Sequence, residues 1–138
     1  MPTRYLLDTN ILSDLLKNPQ GKAAQKTSSL PPEERDLLGT SIIVAAELRY
    51  GAAKSGSPVL AARVDQLLEA IEVFPLEAKA DQHYGRIRAQ LEKTGAPIGG
   101  NDLLIAAHVL ALDAVLVTDN VREFKRVRGL RVENWLRF

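Results

Sequence analysis

The run YLLD at Tyr5–Asp8 constrains the fold more than any other stretch of the chain. Three apolar, strand-like residues run straight into a carboxylate, and after Thr9 and Asn10 the apolar spacing becomes helical. The pattern recurs near the other end, where AVLVT, Ala114–Thr118, leads into Asp119 and Asn120. Two further strands are expected, over Asp36–Thr40 and within Glu72–Leu76. The intervening segments predict helices over Ile11–Lys17, Gly21–Ser29, Ser41 to about Gly51, Val59–Ile71, Ala78–Lys93 and Asp102–Leu112. Thr9 or Asn10 is placed to cap the first of these, and Asn101 the last. Strands alternating with helices argue for an α/β fold with a parallel sheet covered on both faces. Ligands in such sheets bind outside the carboxyl ends of the strands, where both Asp8 and Asp119 fall.

Composition removes several classes of function. With 138 residues the chain is sized for one domain with a real core. It contains no cysteine, which excludes disulfides, thiolate metal sites and cysteine nucleophiles. No apolar run is long enough to span a membrane, and no signal peptide is visible, so a cytoplasmic protein is expected. The net charge of +1 names no partner by itself. The basic residues are unevenly placed, however. From Val121 to Phe138 six of them (Arg122, Lys125, Arg126, Arg128, Arg131, Arg137) face only Glu123 and Glu133, a local excess suited either to a polyanion or to a solvated surface.

Acids stand where a fold wants apolar or tightly turned residues. Asp8 ends the first strand, Glu47 interrupts IIVAAEL, and Asp102 opens the most apolar helix. Asp119 follows the last clear strand, with Glu123 one helical turn later. Singly, each has an ordinary explanation as a cap, a first-turn acid or a turn residue. Together, the topology draws strand ends and helix starts into one cleft, where carboxylates repel unless a cation or protons hold them. An all-oxygen set with no cysteine suits Mg²⁺ or Mn²⁺ better than Zn²⁺. Such an ion polarises a phosphoryl oxygen and lowers the pKa of a bound water.

Four segments carry a family resemblance: LLDTNILSDLL, SIIVAAELRYG, GGNDLLIAAHVLAL and LVTDNVREFKRVRGLRVENW. In this order, over essentially the whole chain, they resemble the PIN-domain ribonucleases, and among these the VapC-type toxins of bacterial toxin–antitoxin pairs. The resemblance implies a single PIN domain over residues 1–138, a three-layer α/β fold with a parallel sheet of four or five strands. It implies an endoribonuclease dependent on Mg²⁺ or Mn²⁺ that cuts transfer or ribosomal RNA. The implied partners are a second copy of the chain and a cognate antitoxin that blocks the cleft, often with a basic side chain.

Carried over position by position, the catalytic set is Asp8, Glu47, Asp102 and a fourth acid, with Asp8 and Asp102 as metal ligands. Many relatives read Thr-x-Asp after the last strand, which would place aspartate at position 120, where this chain has Asn120. The fourth role therefore divides between Asp119 and Glu123, and a single tightly held ion is expected. Asn120 retains an amide oxygen that can reach metal or water. Thr9, Asn10, Thr118 and Asn120 are expected to hydrogen-bond behind the ligands. Arg86, Arg88, Arg122, Lys125 and Arg126 are the candidates for RNA backbone contact.

Two other readings compete. Asn120 in place of aspartate favours a PIN scaffold that binds RNA or protein without cutting. A phosphotransfer domain also sets an aspartate near a strand end, but the dehalogenase pattern wants a second one at position 10, which is Asn10. His83 and His108 are read as structural, and Trp135, Tyr84 and Phe124 as core rather than base-stacking residues. The Val59–Ile71 helix fits either intramolecular packing or a partner surface.

Overall fold

Among the residues described by the computed structural model, 3–137, five short strands form one fully parallel sheet in the order β3-β2-β1-β4-β5. They are β1 (Tyr5–Leu7), β2 (Leu38–Ser41), β3 (Glu72–Phe74), β4 (Val115–Val117) and β5 (Arg131–Glu133). From β1 the chain steps outward to β2 and β3, then returns to β4 and steps the other way to β5. The order therefore reverses between β1 and β4, and a crevice opens beyond their carboxyl ends.

Right-handed crossovers assign the helices to opposite faces. On one face lie α1 (Thr9–Lys17), α2 (Lys22–Ser29), the single turn α3 (Pro32–Arg35), α4 (Ile42–Ser55) and α5 (Pro58–Ala70). On the other lie α6 (Ala80–Lys93) and α7 (Gly100–Ala111), which pack along each other. The short α8 (Val121–Phe124) joins β4 to β5. β1 and β4 are buried throughout, so Leu6, Leu7, Leu116 and Val117 pack against Ile11, Leu12, Ile105 and Val109 from the helices. No helix among the described residues is long and apolar enough to cross a membrane.

The expected three-layer α/β architecture is present, with several local departures. Helix α4 runs through the exposed Gly51 because Leu48 before it and Ala52 after it are both buried; Gly56, at φ +68°, ends it. Pro32–Arg35 forms a helical turn ahead of β2, in a stretch where the sequence pattern predicts no element. Asp8, not Thr9 or Asn10, caps α1: its carboxylate accepts the Thr9 N–H at 2.8 Å. Helix α7 starts at Gly100 with Gly99 as its cap residue, so Asn101 lies inside the first turn and does not cap it.

His108 is buried in α7, with Nδ1 2.7 Å from the Ser41 hydroxyl, and burial lowers its pKa. That places it in the core, as do the burial of Phe124 and Trp135, the latter edge-on to Tyr5 at 5.2 Å.

Gly39 marks a close approach between β2 and β3. A Cβ there would sit 2.6 Å from a Phe74 ring carbon and 2.7 Å from the Glu72 carbonyl. Because one obstacle is backbone, Gly39→Ala will cost roughly 2–3 kcal/mol by overpacking. A urea unfolding titration measures this as a lower midpoint.

Candidate active site

The crevice between β1 and β4 gathers acids from four elements. Asp8 stands at the end of β1, where its own N–H continues the ladder to the Val117 carbonyl at 2.8 Å. Its side chain is 5% exposed. One carboxylate oxygen accepts the Thr9 N–H, and the other accepts the Thr118 hydroxyl at 2.7 Å. Thr118 is fully used: its oxygen also accepts the Asn10 amide at 3.3 Å and the Asn120 N–H at 3.0 Å.

Glu47 projects from α4 and is held by two donors. Thr9 Oγ1 donates to Oε1 at 3.0 Å, and Asn101 Nδ2 reaches Oε2 at 3.5 Å. Asp102, in the first turn of α7, lies against Glu123, and the contact between the two carboxyls raises the one and lowers the other. Glu123 is fixed by the Gly99 N–H at 3.0 Å and by Asn120 Nδ2 at 2.6 Å.

The charges in this crevice are unbalanced. Burial raises the Asp8 pKa above the usual carboxylate range, the negative charges of Glu47 and Glu123 add to it, and its two hydrogen bonds oppose it. Asp102 is pushed up to about 7 by burial, by its contact with Glu123 and by the charges of Glu123, Asp8 and Glu47. Burial also works to raise Glu123, but its donors, its contact with Asp102 and the nearby Arg126 hold it below the ordinary glutamate value. The ion pairs among the described residues involve Arg49, Arg88, Arg131 and Arg137, and none engages Asp8, Glu47, Asp102 or Glu123.

Within the described residues, no three of these carboxylates already converge on one point. With Asp102 pushed up to about 7, its protonation supplies some of the neutralisation a cation would give. The donors are all oxygen, which fits a hard divalent ion taken by one or two carboxylates with water completing its shell. Asp8 and Asp102 are the residues that would hold it.

Comparison with known proteins identifies the family to which this fold belongs. A family profile described as PIN domain matches residues 5–130. Ribonuclease VapC1 of Haemophilus influenzae is 42% identical over 132 residues, covering 95% of this chain and 97% of that protein. The chain is a PIN domain of the VapC ribonuclease family. The tRNA(fMet)-specific endonuclease VapC of Shigella flexneri shares 35% identity with this PIN domain, over 96% of the chain and 98% of the relative. Among solved structures, VapBC2 from Rickettsia felis bound to a DNA fragment from their promoter superposes with a TM-score of 0.85. That match has 36% identity and covers 96% of this chain and 99% of the other.

Within this PIN domain the two candidates for the fourth acid point in different directions. Asp119 does not join the cluster. Its carboxylate turns outward to Asn134 Nδ2 at 2.9 Å and Arg137 Nε at 3.0 Å, both of which lower its pKa. Glu123 occupies the crevice instead, because α8 brings it back one turn after the strand ends.

The basic candidates separate as well. Arg126 bonds the Pro97 carbonyl and acts on Glu123, so it lies at the crevice rim. Arg122 and Lys125 are exposed beside it on and just after α8. Arg86 contacts His83, and Arg88 is engaged by Glu92 and Tyr84, both on the exposed side of α6. Asn101 is the site residue that helix-cap reasoning misplaced. The GGND sequence did contain the signal, since glycine supplies the cap position and frees Asn101 to reach Glu47.

Proposed function

We propose that this PIN domain is the toxin of a toxin–antitoxin pair, an endoribonuclease that uses Mg²⁺ or Mn²⁺ to hydrolyse RNA phosphodiester bonds in the cytoplasm. One observation carries the reading: four carboxylates crowd the strand-end crevice, and none of the ion pairs seen among the described residues engages them. The names of its relatives support ribonuclease activity and, through the Shigella flexneri protein, a transfer RNA substrate.

A bound divalent cation supplies Lewis acidity at a phosphoryl oxygen and eases deprotonation of an attacking water. The protein's part is to hold the reacting groups. Thr9 and Thr118 fix both oxygens of Asp8. Asp102 would help hold such an ion in its deprotonated form, with Glu123 beside it as an anion anchored by Gly99 and Asn120. Glu47, steadied by Thr9 and Asn101, is placed to orient the nucleophile. Arg122, Lys125 and Arg126 receive the RNA backbone at the rim, with Arg86 and Arg88 further out.

The antitoxin is assigned to a groove of about 250 Å³ between α1, α4 and α5. Leu16, Leu48, Ala52 and Leu60 make it apolar, while Thr9 and Glu47 lie at its lining, so an occupant seated there reaches the acids. A homodimer is assigned to the opposite side, where Leu76 is exposed beside a cavity that Tyr84 and Leu104 also line.

The test is RNA cleavage by wild type, Asp8→Ala and Asp102→Ala with Mg²⁺ or Mn²⁺ and again after chelation. Wild type will cut only with the ion present, and each variant will lose at least roughly 10²–10³-fold in rate. Equal cleavage by the variants would overturn the reading and leave a non-catalytic binding scaffold.

A further inference from the structure

Asp119 is pulled out of the acid cluster, yet it sits between the two residues that hold that cluster in place. Thr118 on one side donates to Asp8 at 2.7 Å, and Asn120 on the other donates to Glu123 at 2.6 Å. The backbone N–H of Asp119 is itself taken by Asn10 Oδ1 at 2.9 Å, and the Asn10 amide returns to the Thr118 hydroxyl at 3.3 Å. The tripeptide Thr118–Asn120 thus spans the crevice from one acid to the other.

What pins this tripeptide from behind is the C-terminal tail. Asn134 and Arg137 both donate to one Asp119 oxygen, at 2.9 and 3.0 Å. Asn134 is itself fixed, since its side-chain oxygen accepts the Leu136 N–H at 2.9 Å. The tail is anchored in turn by the buried Trp135, whose indole N–H bonds Glu133, and by β5, whose Glu133 carbonyl accepts the Thr118 N–H at 2.9 Å.

We propose that Asp119 is a positioning residue: by clasping Asn134 and Arg137 it locks Thr118–Asn120 so that Asp8 and Glu123 are held ready for a divalent cation. The proposal rests on the endoribonuclease reading and assigns the tail a part in it. Asp119 touches neither substrate nor ion. Its effect passes through Asn10 and Thr118 to Asp8, and through Asn120 to Glu123. Hydrogen-bond partners behind metal ligands commonly change metal affinity or activity by about 10–100-fold.

The experiment compares wild type, Asp119→Ala, Asp119→Asn, the double variant Asn134→Ala/Arg137→Ala, and Asp8→Ala. Mn²⁺ affinity is read by calorimetry without RNA, and kcat and KM are read on an RNA substrate. Asp119→Ala and the double tail variant will bind Mn²⁺ roughly tenfold more weakly and lose kcat by a similar factor, with KM unchanged. Asp119→Asn will recover most of both, because its amide oxygen still accepts the two tail donors. If Asp119→Ala fails to fold, the tail variant decides, since Arg137 is exposed and Asn134 only half-buried. Wild-type Mn²⁺ affinity and kcat in the tail variant would overturn the proposal alone. A wild-type chain that binds Mn²⁺ no better than Asp8→Ala would overturn the functional reading and the proposal with it.

Discussion

Asp102→Asn will remove RNA cleavage while making the metal-free protein more stable at neutral pH. The two effects share one cause. Asp102 is held up to about 7 because burial and three nearby carboxylates disfavour its charge. A group kept under that pressure has been placed for something other than stability of the empty fold. Asparagine has nearly the same shape, carries no charge, and can donate an amide hydrogen toward Glu123 as the protonated Asp102 carboxyl does. Because Asp102 is only half-buried, solvent screening reduces the gain to about 1 kcal/mol, or roughly 3 °C in the unfolding midpoint. Cleavage will fall by at least roughly 10²–10³-fold, the scale for losing a group that organises transition-state charge. Thermal denaturation and single-turnover cleavage measure the pair of effects. A variant that is both less stable and fully active would refute the account.

The stability gain of Asp102→Asn will depend on pH in a specified direction. A carboxyl whose folded pKa is raised favours the folded state most fully below its unfolded pKa. That contribution is lost as pH rises through the folded value, here from about 4 to about 7 for Asp102. Asp8 is raised and acts in the same sense. Glu123 is lowered and acts oppositely, losing its contribution as pH falls below the ordinary glutamate range. His108 is lowered as well, so stability falls as pH drops below about 6.5, where the unfolded chain takes up a proton that the buried ring does not.

The difference between Asp102→Asn and wild type isolates the carboxyl from these other groups. Below about pH 4 the two midpoints will nearly coincide. By pH 8 the variant will unfold about 3 °C higher. Saturating Mn²⁺ will then raise wild type above the variant, since only wild type keeps the full site. A difference that shrinks with rising pH would contradict the assigned cause.

Asp8, Glu47 and Asp102 were legible in the sequence because each breaks an apolar pattern at a place where a parallel sheet converges. The parallel α/β fold was legible in the alternation of strand and helix patterns along the chain. Asp119 and Glu123 were harder to separate, since both follow the last strand. Side chains alternate along a strand, so Thr118 turns toward Asp8 and its neighbour Asp119 turns the other way. Only the turn of α8 returns an acid to the crevice, and that helix is four residues long with little periodicity to read. Strand β5 was not legible either. Arg131 and Glu133 are exposed on this edge strand, and an edge tolerates charge that a central strand would not. The link from the tail to Asp119 is a tertiary contact with no local signature.

The most direct test of the central claim, that these carboxylates form a divalent-cation site, is calorimetric titration of the metal-free protein with Mn²⁺ at pH 6. The titration is repeated in buffers of different ionisation enthalpy. With Asp102 protonated up to about 7, binding there must expel close to one proton per ion, and close to none at pH 8.5. The account predicts that proton release in wild type and at least about tenfold weaker binding in Asp8→Ala and Asp102→Ala. Equal Mn²⁺ affinity in all three proteins, with no proton released at pH 6, would contradict it.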